Sequence, residues 1–372
     1  MKQVGRTPLL REANFDLLRI LCTLSVIIIH VTATFKLALT SADFFGHLHT
    51  EHIGFIALFD TLPRFSVPCF FMLSGAFLLD NPQNREYRYF YRKSFKSIGI
   101  PILLFSLLYL GYSEARPVVY FLRGEGASHL LPPVLDLLRG APFYHMWYMY
   151  TLIGIYIAIP AVIRLKESLG ETAFSKLSWI FLVVAIISGW TSKFSINWSC
   201  GRVICSMGYV LIGYELRRNS RKNAVKALLF IIFGICVELI VFTIQYRHSC
   251  AGISEADEAL SLVHEYNPFV ALASLLIFHG FALLPMNSQK CTMLAYNSFP
   301  VYLIHAGVWD VLTFLLPSLD ARGIDCRILI LFGIAAVSLI SYVLTFCYEA
   351  LWKCADKGER ITNTLCRLVH LN

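Results

Sequence analysis

With 372 residues, 57% of them hydrophobic and only 15% charged, and a mean hydropathy of +0.62, the chain is too apolar for a water-soluble domain, which averages roughly 25% charged residues. The net charge of +8 does not mark a nucleic-acid binder, because the basic residues are scattered between apolar stretches, as the positive-inside rule produces. Eleven cysteines without a CxxC pair give no metal-ligand spacing, so no metal is expected.

The polar, basic start runs from Lys2 to Asp16 straight into a long apolar run without a small-residue cleavage pattern. It reads as a first transmembrane helix, not a signal peptide. Hydropathy predicts an all-α polytopic membrane protein of about ten transmembrane helices, at 15–37, 63–80, 97–114, 143–163, 174–191, 199–216, 226–245, 268–285, 296–316 and 326–350. These fill one membrane domain over 1–372, with a core at 14–350 and a cytoplasmic tail at 351–372. With the N-terminus inside, twenty-one of the 32 basic residues fall on the inner side and ten on the outer, so both termini are expected in the cytoplasm.

The long outer connections at 38–62, 115–142 and 246–267 carry His47, His49, His52, His129, His248 and His264, which read as solvated loop histidines. Cys22, Cys69, Cys236 and Cys347 lie in apolar runs and act as small hydrophobes. A disulfide among Cys200, Cys250 and Cys326, near outer helix ends, is left open. Glu238, deep in the seventh span, reads as a paired structural acid.

The first span carries the most informative spacing. Arg19 and His30 are eleven residues apart, which returns to the same helical face after a rise of about 16 Å. Asp16, one turn before Arg19, can pair with it. Arg19 near the boundary could snorkel, but His30 sits near the bilayer midplane, where an ionisable group is expensive and faces a cavity or a partner. Spacing alone leaves a functional and a structural His30 equally open.

Further along come Phe70-Phe71-Met-Leu-Ser74-Gly75 in the second span and Arg92-Lys93-Ser-Phe-Lys96 before the Pro101 that opens the third. His145-Met-Trp147-Tyr148 opens the fourth span, and Ser298-Phe-Pro-Val-Tyr302-Leu-Ile-His305 lies in the ninth. Together with the Arg19 to His30 spacing, these elements resemble, in order from residue 14 to about 310, the membrane acyltransferase-3 family. Within it the chain is similar to O-acetyltransferases of the enterobacterial-common-antigen type. One position departs from the family: its Arg-x-x-Arg is here Lys93-Ser-Phe-Lys96, and lysine keeps the charge without gripping phosphate bidentately.

The resemblance implies an O-acyltransferase that needs no bound cofactor and uses acetyl-CoA, or another acyl-CoA, as a cytoplasmic donor substrate. Arg19, Arg92, Lys93 and Lys96 would meet its phosphates, and Asp16, Arg19 and His30 would form the catalytic set. His30, unprotonated, would either deprotonate an acceptor hydroxyl or carry the acyl group itself. Acceptor or support roles fall to Ser74, His145, Trp147, Tyr150 and His305. Ser74 with Gly75 suits close helix approach better than nucleophilic attack. Tyr144, Trp147, Tyr148 and Tyr150 suit either a membrane-interface belt or a platform for sugar rings. The implied partners are acyl-CoA, a cell-surface glycan or lipid-linked sugar, and the bilayer of a bacterial inner membrane. A transporter or flippase for a lipid-linked sugar is the competing class, although no paired inverted halves are visible.

Overall fold

The computed structural model of the chain describes residues 12–40, 50–122, 142–190, 199–250, 263–287, 291–320 and 322–369. Among them the regular structure is all helical, without a strand. The main elements are α1 (Ala13–Thr40), α2 (Ile53–Leu78, through a tight 3₁₀ turn at Leu62–Phe65) and α3 (Tyr87–Ser94). A π turn (Phe95–Gly99) then leads into α4 (Ile100–Leu122). They are followed by α5 (Trp147–Trp190), α6 (Ser199–Arg218), α7 (Ala224–Cys250), α8 (Pro268–Leu283), α9 (Ser298–Thr313) and α10 (Cys326–Val369). Six helical stretches among the described residues are long and apolar enough to cross a membrane, and each of the ten predicted segments coincides over most of its length with helix.

The 44 residues of α5 are two arms. Gly170 has φ of +73°, a conformation that L side chains rarely adopt, and it breaks the helix. Gly154 packs on Val203 and Leu182 packs on Gly208. A straight helix would separate residues 154 and 182 by about 42 Å, whereas their partners on α6 lie only about 7.5 Å apart along that helix. The chain therefore folds back at Gly170, and both arms lie against α6.

The structure departs from the sequence reading in three places. The second span starts at Ile53, ten residues early, because its charged residues are paired inside the bundle. The Asp60 carboxylate is fully buried and bound by Lys36 at 2.6 Å, by Arg64 and by Gln245 Nε2 at 3.1 Å, so the interruption seen by hydropathy is locally neutralised. His52 is accordingly buried at the start of α2, with Nε2 3.7 Å from Asp325, rather than solvated in a loop. The last helix runs on through the predicted tail to Val369. Cys250 and Cys326 are free thiols, while the Cys200 side chain and all of His47, His49 and His129 lie outside the described residues.

The tightest seam joins α2 to α6. A methyl on Gly75 would overlap the Val210 carbonyl, and one on Gly213 the Met72 carbonyl, so the two backbones touch. A large core of buried side chains runs from α1 across α2, both arms of α5, α6, α8 and α9. A smaller one ties α1 to α9 and α10 near Trp309.

Candidate active site

Along α1 the predicted stripe holds. Arg19 Nη1 binds Asp16 Oδ1 at 2.8 Å, and the Asp16 side chain is buried while that of Arg19 is a quarter exposed. The Arg19 guanidinium lies 4.7 Å from the centre of the Phe77 ring, and so does that of Arg217 on α6. Arg217 is itself tied to Glu12 at 2.6 Å, to Asp80 at 2.8 Å and to the Ala76 carbonyl at 2.9 Å. Two cations and their carboxylates thus brace one end of the bundle.

That end opens into a cavity of about 510 Å³, a size that fits a small-molecule ligand. Glu12, Arg19, Ser74 and Ser97 give it polar edges. Its walls are Phe70, Phe77, Ile98, Leu152, Tyr156 and Phe299, and it ends at Tyr148 and Tyr302. Ser74 donates to the Phe70 carbonyl at 3.1 Å, one turn back, so it is a lining hydroxyl and not an activated nucleophile. Its neighbour Gly75 makes the α2–α6 contact, so one dipeptide serves both the wall and the seam.

Beyond Tyr148 and Tyr302 lies a closed layer of rings. His30 from α1, His145 from the segment before α5 and His305 from α9 face one another. Ring centroids are 5.3 Å apart for His30 and His305, 5.2 Å for His145 and His305, and 6.3 Å for His30 and His145. Tyr302 is 5.3 Å from His305 and 5.7 Å from His145, and its hydroxyl donates to the His145 carbonyl at 2.9 Å. Tyr109 supports the layer from α4, stacked at 4.4 Å on Phe143 and edge-on to His145 at 5.1 Å. His145 and His305 are fully buried, whereas His30 is only half-buried and touches the exposed Tyr144 at 5.0 Å. Of the three imidazoles, His30 is the one with access. Among the described residues no group of three or more His, Cys, Asp or Glu converges as a metal site would.

The other expected residues fall apart from this layer. Trp147 lies under the Arg202 guanidinium at 5.0 Å, and the Tyr150 hydroxyl shares a hydrogen bond with Ser106 at 3.1 Å. Arg92, Lys93 and Lys96 are exposed and do not line the cavity. Their neighbours Ser97 and Ile98, in the π turn, do line it, and such turns occur often at functional sites. Glu238 is buried on α7 within range of the Arg64 charge and the Phe65 backbone, and it makes no ion pair among the described residues, unlike the paired acid expected. Sequence reasoning missed Tyr148, Tyr156, Phe299 and Tyr302 as cavity residues. The available signal was the three-residue step from Phe299 to Tyr302 to His305, which puts all three on one face of α9.

Polar side chains held on apolar helices around a cavity, with a layer of imidazoles behind the tyrosines that line it, are the layout of a multi-pass membrane enzyme. The chain belongs to the acyltransferase-3 family, whose acyltransferase domain matches residues 12–347, and it is an acyltransferase. No curated protein and no solved structure matches it.

Proposed function

We propose that this acyltransferase moves an acetyl or similar short acyl group from cytoplasmic acyl-CoA to a hydroxyl of a cell-surface glycan or lipid-linked sugar, in a bacterial inner membrane. The observation that carries the reading is that a single helix, α1, lines the cavity at Arg19 and enters the imidazole layer at His30. The donor occupies the cavity with its phosphates towards Arg19 and its thioester towards Tyr148 and Tyr302. The acceptor reaches His30 past Tyr144, which presents an exposed aromatic face suited to a sugar ring. The hydroxyl oxygen attacks the thioester carbonyl carbon while His30 takes its proton. The C–S bond then breaks, and the CoA thiolate leaves with the proton that His30 returns. An acyl-imidazole on His30 is the two-step version of the same transfer. Arg92, Lys93 and Lys96 form an outer cationic rim for the nucleotide end of CoA, beyond the cavity itself. The acceptor class rests on the similarity to enterobacterial-common-antigen-type O-acetyltransferases, and the orientation on the distribution of basic residues.

The test is label transfer from radiolabelled acetyl-CoA to a surface-glycan extract by membranes carrying the protein. Transfer is lost in His30→Ala and kept in His279→Ala, whose ring packs on Phe230 away from the cavity. Equal transfer by wild type and His30→Ala defeats the proposal.

A further inference from the structure

A histidine acts as a base through one nitrogen only, and which one depends on where its single proton sits. In His305 that choice is fixed. Nδ1 lies 2.6 Å from the Tyr302 carbonyl oxygen, which can only accept, so Nδ1 carries the proton and Nε2 holds the lone pair. Nε2 is buried and has no hydrogen-bond partner among the described residues. A buried acceptor left without a donor costs roughly 1–3 kcal/mol, so it is retained where something uses it. Two imidazoles flank the His305 ring: His145, 5.2 Å away between centroids and turned by 78°, and His30, 5.3 Å away and tilted by only 36°. Of the two, His30 is the less buried, and its separation is short enough for an N–H···N bond once the rings are turned edge to edge.

We propose that His305 is a positioning residue that sets the tautomer of His30: its Nε2 accepts the N–H of the His30 ring and leaves the other His30 nitrogen bare towards the acceptor hydroxyl. The inference rests on the reading of His30 as the group that handles the proton. No proton is gained or lost in this step. The His30 N–H stays on His30, and when the ring picks up the hydroxyl proton the resulting imidazolium keeps its bond to His305. The Tyr302 carbonyl is the third member, holding His305 as His305 holds His30. Tyr302 also ties down the His145 backbone carbonyl through its hydroxyl, so one residue of α9 holds the His305 ring and the segment that carries His145.

Three variants in the acetyl-CoA assay decide it. His305→Leu keeps apolar bulk but has no acceptor. It lowers kcat by about 10- to 100-fold, in line with other removals of a histidine's orienting partner, with KM for acetyl-CoA within twofold of wild type. His305→Gln, whose side-chain carbonyl reaches the Nε2 position, recovers most of kcat. His305→Asn, too short to reach it, does not. Full activity in His305→Leu, or equal impairment in the Gln and Asn variants, overturns the assignment while leaving His30 in place. If the Leu variant fails to accumulate, the Gln and Asn pair alone decides. Retained activity in His30→Ala defeats the underlying function instead, so the two failures are told apart.

Discussion

The two ends of the polar stripe on α1 are built on opposite principles. At Arg19 the helix faces open space: the guanidinium is partly exposed, paired with Asp16 and poised at the rim of a cavity. Eleven residues on, His30 is pressed among rings, two of them fully buried. The open end can bind and release a charged ligand. The closed end cannot rearrange its solvent and suits a group whose orientation must be fixed before reaction. In the proposed reaction these are a binding end and a reaction end, and a single helix keeps them about 16 Å apart.

Substitutions at the two ends should therefore separate kinetically. The largest effect is expected from His30→Ala, which lowers kcat at least about 1,000-fold with KM for acetyl-CoA little changed, read from initial rates of label transfer. A comparable rise in KM would merge the two ends and remove the distinction. Arg19→Ala comes next. It loses a charge-assisted contact of about 1.5–3 kcal/mol, which raises KM for acetyl-CoA by roughly 10- to 100-fold. A fall confined to kcat would place Arg19 in the chemistry instead. The double change Lys93→Ala with Lys96→Ala removes exposed charges outside the cavity, so KM rises by only about two- to threefold and the difference fades at high salt. A ten-fold effect that survives salt would extend the binding end to the π turn.

The smallest effect belongs to neither end. Arg327 beside Asp325 holds that carboxyl well below the usual carboxylate range. A depressed value means that its stabilisation is present at neutral pH and is lost only as the pH falls through that low value. The pair is exposed, so Asp325→Asn costs at most about 1 kcal/mol at pH 7, measured by thermal unfolding in detergent.

Much of the candidate site was legible in the chain, for reasons that differ residue by residue. The alignment of Arg19 with His30 follows from helical periodicity, and Asp16 from the i, i+3 rule. Both needed only one helix. The meeting of His30 with His145 and His305 joins elements more than a hundred residues apart, which no local pattern encodes. Tyr148 and Tyr302 stand out in the sequence, but their place on the cavity wall does not, because an aromatic beside a cavity and one inside a core have the same composition. Arg92, Lys93 and Lys96 attracted attention as charges, yet the π turn that follows them presents Ser97 and Ile98 to the cavity instead. For the fold, hydropathy located the helices but misplaced the start of α2, because it counts Asp60 and Arg64 one at a time and cannot see that they neutralise each other.

The packed layer of Tyr148, Tyr302, Tyr109 and Phe143 has a consequence beyond positioning. A protein that admits a hydrophilic metabolite deep into a bilayer risks opening a leak for protons and ions, which would run down the membrane potential. Tyr148 and Tyr302, packed 5.2 Å apart between ring centroids on the cavity wall with Tyr109 and Phe143 behind them around His145, would act in the proposed reaction as an insulating plug. If the proposed transfer runs across them, only the small reacting portion has to pass, and the electrochemical gradient survives each turnover.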